Sequence, residues 1–372
     1  MISNKVIKIG VLTSSRADYG IYKPLLIRIK NDSRFDLEII AFGMHLQNQH
    51  GSTIKEIESD NYKKIVRVQG MPTKDSKLEI SKGYANLISS FSIFWHANKY
   101  DLVLALGDRF EMNAAVQAGV VFEVNFAHFH GGETSLGSLD NIYRDQISLA
   151  SKIHFTSTHE STLKLEKILN KKKQIYNIGS LSLDGIENLL LPKWTEVCKE
   201  FKIPSEKFVL VTFHPETVKS ENNITYLKEL KTLFLEMSYK LHLVITMPNA
   251  DLLGNLYRKL FIELNSLNPK GISLIDSFGK LRYFSAMKNC DFLLGNSSSG
   301  IIEAATFKKF FINVGNRQNG RVKNKNVIDV PFNKLKILDS IKKIRGLEYK
   351  GPNKYKKDSS SEFAVEIIIN NC

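Results

Sequence analysis

The sequence predicts an α/β protein of two successive domains, each an alternation of strands and helices that winds a parallel sheet. Three observations predict it. Short runs such as 102–106 and 208–213 are apolar at nearly every position, the pattern of strands buried on both faces. Each run ends in a turn of glycine, hydroxyl or charged residues, and a stretch of helical spacing follows. A chain of 372 residues also exceeds one ordinary core, and region 180–205, with Pro192, Pro204 and no long apolar strand, separates the two alternations. The expected division is 1–180 and 181–350, with 351–372 a tail that packs back on the body.

The first strand is expected at 6–12. It ends in Thr13-Ser14-Ser15-Arg16-Ala17-Asp18-Tyr19-Gly20, and 21–29 has helical spacing. This turn carries Arg16 and lacks a Gly-x-Gly-x-x-Gly fingerprint, which argues against a dinucleotide cofactor. Strand 37–42 leads into Gly43-Met44-His45, bringing His45 to the same carboxyl edge, where a lone histidine is more often structural. Helix 51–60, strand 64–68 and a long helix over 77–98 follow.

The densest chemistry begins at Asp101. Strand 102–106 turns at Gly107-Asp108-Arg109 into an alanine-rich helix, and strand 124–129 comes next. Open α/β sheets bind ligands beyond the carboxyl ends of their strands, so Asp108 and Arg109 stand at a mouth. His128 and His130, two apart, are expected on one face of the next strand, and Gly131-Gly132 lets the backbone approach a ligand before Glu133. Asp140 and Arg144 lie four apart on the following helix, hence on one face. Each residue taken singly reads as a cap or a satisfied surface group; the set, at successive strand ends, reads as an active site. Asp108, Glu133 and Asp140 are its carboxylates, and their clustered charge is expected to raise one pKa.

Strand 152–156, helix 158–169 and segment 174–179 close the first domain. The second opens with strand 208–213, which ends in His214-Pro215-Glu216-Thr217. Helix 221–238 and strand 241–246 follow, the strand ending in Met247-Pro248-Asn249-Ala250-Asp251. After helix 252–265, strand 271–275 and helix 279–289, strand 291–294 opens into Gly295-Asn296-Ser297-Ser298-Ser299-Gly300-Ile301-Ile302-Glu303. Small, hydroxyl-rich turns at helix N-termini offer backbone N–H groups and the positive end of a dipole to an anion. Ser297 and Ser298 are therefore expected to cradle a diphosphate, and Glu303, one turn into the helix, to accept from a ribose. The bland reading of this loop is an ordinary N-cap serine. Arg317 and Arg321 add cations after the next strand. Residues 345–361 are rich in lysine and serine, and 363–369 is a short amphipathic segment.

Composition bounds the rest. Apolar content of 43% and charged content of 24% are those of a soluble globular protein. No apolar run approaches the ~20 residues of a membrane span, and no signal-peptide pattern opens the chain, so the expected location is cytoplasmic, with no membrane partner. Cys198, Cys290 and Cys372 are widely spaced, which points to neither a disulfide framework nor a zinc site. The net charge of +14 is spread over the chain instead of forming an aromatic-interleaved stripe, so no nucleic-acid partner is expected. A general positive field still favours a nucleotide phosphate.

With these residues in view, the chain resembles the hydrolysing UDP-N-acetylglucosamine 2-epimerases, bacterial sialic-acid-pathway enzymes related to the epimerase half of the vertebrate bifunctional enzyme. The resemblance runs from Lys8 to about Asp329, through SSRADYG at 14–20, FGMHL at 42–46, GDRFE at 107–111, HFHGGE at 128–133, HPET at 214–217, PNAD at 248–251, GNSSSGIIE at 295–303 and NVGNRQNGR at 313–321. It implies a GT-B-like architecture, two Rossmann-like domains facing across a cleft, with UDP held mainly by the C-terminal half. The implied reaction is anti elimination of UDP to a 2-acetamidoglucal, then syn hydration to N-acetylmannosamine, with no cofactor and no metal. The implied assembly is a homodimer or homotetramer. Carried over, Arg16 contacts the UDP-sugar, and His45, Asp108, His128, Asp140 and Arg144 line the reacting sugar. His214 and Asn249 stand on the second wall, while Ser297, Ser298, Glu303 and Arg317 hold diphosphate and ribose. His130, Glu133 and Arg109 complete the set.

Two positions depart from the family pattern. His130 stands where the vertebrate motif has an acid/base glutamate, and Asn141 replaces a second aspartate beside Asp140. Relatives acting on UDP-2,4-diacetamido-2,4,6-trideoxy-glucose, for legionaminic acid, share these motifs. Three other classes fit the residues less well. A GT-B glycosyltransferase would share the nucleotide loop but has no use for so many acid/base groups. A metal hydrolase on His128-x-His130 lacks an obvious third ligand, and a nucleic-acid binder rests on charge alone.

Overall fold

Strand β1 (Ile7–Thr13) lies inside the first sheet, its run Ile9, Val11 and Leu12 buried on both faces. The computed structural model describes residues 6–47, 53–71, 76–218, 220–248 and 253–372. Helix α1 (Arg16–Lys30) starts directly after β1, five residues earlier than apolar spacing predicts. The reason is a capping box: Ser15 accepts from the Asp18 amide while the Asp18 carboxylate takes the Ser15 amide.

The first unit continues through β2 (Phe35–Phe42), α2 (Ile54–Ser59), β3 (Ile65–Val68), α3 (Lys77–Ala97), β4 (Leu102–Leu106) and α4 (Phe110–Val120). It is completed by β5 (Phe126–Phe129), α5 (Asp140–Leu149), β6 (Ile153–Thr156), α6 (His159–Leu169) and β7 (Ile175–Asn177). The sheet order is β3-β2-β1-β4-β5-β6-β7, every pair parallel. The order reverses between β1 and β4, so the loops after these two strands diverge and open a crevice at their carboxyl ends.

Residues 180–205, expected to carry no strand, hold short turns and helix α7 (Trp194–Phe201), whose Trp194 stacks on Phe208 at 4.5 Å. The second unit then runs β8 (Phe208–Thr212), α8 (Asn223–Ser238), β9 (His242–Thr246), α9 (Gly254–Leu267), β10 (Ile272–Ile275) and α10 (Lys280–Asn289). It ends with β11 (Leu293–Gly295), α11 (Ser298–Ile302), β12 (Phe311–Val314), β13 (Val327–Val330) and α12 (Lys334–Ile344). Its parallel order, β10-β9-β8-β11-β12-β13, repeats the first unit's logic, with the reversal between β8 and β11.

The contact-based division runs Met1–Thr134, Asp140–Gly185 and Tyr355–Cys372 against Ser135–Leu139 and Ile186–Lys354. The tail is thus part of the first unit: in helix α13 (Ser360–Asn371), Ala364 and Ile368 join the core of Leu25, Ile29 and Leu181. Its first turn is tied by Ser360 Oγ to the Ile178 carbonyl at 2.5 Å and by Arg28 Nε to Ser361 Oγ at 2.7 Å. Each fully buried Leu or Ile in these cores contributes about 1.5–3 kcal/mol. Among the described residues, no helix is long and apolar enough to cross a membrane.

Candidate active site

In the first unit the expected residues stand at the carboxyl ends of β1, β2, β4 and β5 and at the head of α5. After β1, the Asp18 carboxylate gathers the hydroxyl of Thr13 (2.7 Å) and the amides of Ser14 (2.8 Å) and Ser15 (3.0 Å). Arg16 opens α1 from this locked turn, half-buried, and desolvation pulls its pKa below the ordinary guanidinium value. His45 follows β2, fully buried, with Thr13 Oγ1 3.0 Å from Nε2 and Thr53 Oγ1 2.7 Å from Nδ1. Both ring nitrogens are engaged inside the protein, so in this structure His45 fixes the Arg16 turn.

After β4, Asp108 forms an ion pair with Arg144 of α5. Arg144 is 1% exposed, the largest fully buried side chain, and its Nη1 also donates to the Glu133 carbonyl at 3.0 Å. A buried guanidinium needs such partners, because an unpaired charge in a protein interior costs several kcal/mol. Arg109 pairs through Nε with the buried Glu111 at 2.6 Å. Asp140 begins α5, one turn before Arg144.

The two histidines of the next strand separate. His128 ends within β5, while His130 lies beyond it with a φ of 65°, in the left-handed region. The strand's alternation stops at Phe129, so the expectation of one shared face is corrected. His128 places Nε2 2.8 Å from the Gly107 carbonyl and Nδ1 2.9 Å from Ser148 Oγ. A carbonyl only accepts, so Nε2 carries the hydrogen and Nδ1 accepts from serine. His130 instead sets Nδ1 2.8 Å from Glu133 Oε1, and Ser157 Oγ donates to that same oxygen at 2.6 Å. Asp108 thus meets Arg144, while Glu133 meets His130 and Ser157. Among the described residues, no group of three His, Cys, Asp or Glu is placed to hold a metal ion.

Beside His128 across the β5–β6 register lies His154, also fully buried. Burial pushes His128 down to about 4 and His154 down to about 3. Both are neutral in the fold, whereas in the unfolded chain each protonates near 6.5. From about 6.5 down to those lowered values the unfolded state binds more protons, so this stability is complete above about 6.5 and is lost as pH falls through about 4. For His128 it amounts to about 3 kcal/mol. The urea midpoint is expected to fall between pH 7 and pH 4, and His154→Leu to flatten that slope; an equally steep profile in the variant contradicts it.

In the second unit, Asn296 after β11 locks the β8 loop: its Oδ1 accepts the His214 amide at 2.7 Å and its Nδ2 donates to the His214 carbonyl at 2.8 Å. The Asn296 carbonyl takes Gln318 Nε2 at 2.9 Å and Arg317 Nη1 at 3.3 Å. Glu216, almost fully buried, accepts the amides of Asn316 (2.5 Å) and Arg317 (3.1 Å). Burial pushes its carboxyl up while those two amides pull it down. Ser297 caps α11 by accepting from the Ser299 amide, and Tyr283 OH lies 2.7 Å from Ser299 Oγ.

Helix α11 is a single turn. Glu303, expected one turn inside a helix, is its C-cap, with its amide on the Ser299 carbonyl at 2.9 Å. An anion at this loop would thus meet amides and hydroxyls more than a helix dipole. Stretch Ser135–Leu139 also packs here: Leu136 N bonds Asn319 O at 2.9 Å, and a Cβ at Gly137 would lie 2.5 Å from Arg317 Cα. Asn249 lies outside the described residues. Ser157, Glu216, Asn296 and Gln318 do not stand out in the sequence, although Glu216, Asn296 and Gln318 sit inside quoted motifs.

The chain matches the family model described as UDP-N-acetylglucosamine 2-epimerase over residues 27–369. It is 34% identical over 347 residues to the GDP/UDP-N,N'-diacetylbacillosamine 2-epimerase (hydrolyzing) of Campylobacter jejuni, covering 92% of this chain and 88% of that protein. It is 31% identical over 365 residues to the UDP-N,N'-diacetylbacillosamine 2-epimerase (hydrolyzing) of Legionella pneumophila, covering 97% and 95%. In fold it is similar to the crystal structure of UDP-GlcNAc 2-epimerase from Neisseria meningitidis bound to UDP-GlcNAc, with a TM-score of 0.79 at 18% identity, covering 98% of this chain and 100% of that one. The predicted fold class, two Rossmann-like α/β units of the GT-B kind, is the one observed.

Proposed function

This chain belongs to the UDP-N-acetylglucosamine 2-epimerase family, and from that premise we propose that it is a hydrolysing 2-epimerase of a UDP-2-acetamido sugar. The substrate proposed first is UDP-N-acetylglucosamine, converted with water to N-acetylmannosamine and UDP by anti elimination through the 2-acetamidoglucal and syn hydration.

One observation carries the reading: the network Asp108–Arg144–Glu133–His130, buried but for Asp108, at the carboxyl edge of the first sheet. The C2 hydrogen of a 2-acetamido sugar has no strongly acidifying neighbour, so its removal needs a positioned base, and the leaving diphosphate needs cations and N–H donors. In this reading Asp108, His128, His130, Glu133, Asp140 and Arg144 serve the reacting sugar, with His128 acting as a neutral support. Arg16, His45 and Arg109 shape its binding. Ser297, Ser298, Glu303 and Arg317 hold UDP with Asn249 beside it, and His214 is the catalytic residue of the second unit. The assignment takes 1–180 as the sugar side and 181–350 as the UDP side, in a cytoplasmic homodimer or homotetramer.

A second reading has UDP-N,N'-diacetylbacillosamine as the donor, favoured by the names of two relatives at 34% and 31% identity. Both donors are to be supplied separately, with UDP, free sugar and any epimerised UDP-sugar quantified. UDP with free manno-configured sugar from one donor supports the proposal and chooses the substrate. Epimerised UDP-sugar without UDP release, or acceptor-dependent transfer, contradicts it.

A further inference from the structure

We infer that His130 and Glu133 form the proton-transfer dyad, with His130 Nε2 the base that removes the C2 proton and Ser157 the residue that positions Glu133. This rests on the hydrolysing 2-epimerase reading.

The argument is one of tautomers. A carboxylate only accepts, so Nδ1 of His130, 2.8 Å from Glu133 Oε1, carries the hydrogen and Nε2 keeps its lone pair. Nε2 is buried and has no hydrogen-bond partner among the described residues. The other buried histidines of this unit do not offer the same. The Gly107 carbonyl forces the hydrogen of His128 onto Nε2, and serine takes its Nδ1. His45 is enclosed by Thr13 and Thr53. His154 sits inside β6, two residues before its carboxyl end.

The backbone is built to hold this pair. His130 adopts a φ of 65°, a conformation uncommon for a residue with a side chain, and its amide bonds the Phe155 carbonyl at 2.8 Å. Gly132, at φ 76°, passes where a Cβ would lie 2.2 Å from the Ser161 carbonyl. The Glu133 carbonyl is held by Arg144 at 3.0 Å and by Lys164 Nζ at 3.2 Å. With Ser157 Oγ 2.6 Å from Oε1, the carboxylate is fixed against Nδ1, where it stabilises the imidazolium that forms. His130 is 7% and Glu133 4% exposed, so that charge pair is little screened by water.

In the elimination, the electron pair of the C2–H bond becomes the C1=C2 double bond. The C1–O bond breaks with its pair leaving on UDP, and the proton goes to Nε2, which later releases it to solvent.

The test is His130→Gly, because glycine adopts the same φ without strain. UDP release is expected to fall about 10²–10⁴-fold, with UDP affinity unchanged, and added imidazole to restore the rate in proportion to its free-base concentration. Glu133→Gln is expected to move the acid limb of the pH–rate profile to lower pH, since the imidazolium loses its counter-charge. Ser157→Ala should lower kcat while leaving KM unchanged. A His130→Gly enzyme that keeps the wild-type rate, or that binds UDP normally and stays silent at every imidazole concentration, overturns the dyad. If the glycine variant does not fold, the near-isosteric His130→Gln decides: a wild-type rate there also overturns it. Wild-type enzyme that releases no UDP from either donor removes the parent reading and the dyad with it, whereas an active wild type with an indifferent His130 removes the dyad alone.

Discussion

Asp108→Asn is expected to lower turnover by about 10²–10³-fold while leaving UDP binding largely intact. The substitution keeps the shape of the side chain and removes its charge, so Arg144 loses its ion-pair partner while remaining 1% exposed. Asp108 is itself 26% exposed, so solvent reaches the pair, and the loss of stability is about 1–3 kcal/mol, less than for a fully enclosed pair. The catalytic loss follows from geometry. Arg144 also holds the Glu133 carbonyl, and a guanidinium without its charge partner positions the loop that carries His130 less firmly. Steady-state kinetics beside UDP titration checks this, and a wild-type kcat in the variant contradicts the placement of the site.

Gly295→Ala is expected to abolish UDP binding and lower the unfolding temperature. Gly295 closes β11 at a φ of 153°, and a Cβ there would lie 1.9 Å from the Thr212 carbonyl oxygen. That oxygen belongs to the neighbouring strand and accepts the Asn296 amide at 3.0 Å, so it cannot move aside without breaking the β8–β11 pairing. Backbone strain and overpacking each cost about 1–3 kcal/mol. The same displacement pulls Asn296 from His214 and unseats Ser297, the two anchors of the loop. Calorimetry with and without UDP reads both effects, and Ser298→Ala is the milder comparison, expected to weaken UDP binding first. A Gly295→Ala protein that binds UDP with wild-type affinity contradicts the account of this loop.

The lines of the site that run along strands were legible in the sequence. Consecutive apolar residues predict buried parallel strands, parallel strands put their loops at one edge, and Asp108, Glu133 and Ser297 fall at such edges by counting. What counting misses is conformation set by tertiary contact. The strand's end at Phe129 is legible, but nothing in His-Phe-His-Gly-Gly-Glu announces the left-handed turn at His130, whose amide bonds the Phe155 carbonyl of another strand. Ser157 reads as one more hydroxyl in Thr156-Ser157-Thr158, a helix-capping sequence, and its bond to Glu133 spans 24 residues. Glu216 does not stand out in His-Pro-Glu-Thr, because the amides its carboxylate binds, those of Asn316 and Arg317, lie a hundred residues away. Helix α7 is not legible because Pro192 and Pro204 flank a short segment that looks like a linker, although Trp194 packs it onto the next strand.

The most direct test of the proposed reaction is proton NMR of the enzyme in D2O with each UDP-sugar. Hydrolytic 2-epimerisation by proton abstraction predicts UDP together with a free manno-configured sugar that carries deuterium at C2, because the abstracted proton exchanges before the glycal is hydrated. A free sugar that keeps its original hydrogen and configuration at C2 would contradict it, since cleavage would then have occurred without breaking the C2–H bond.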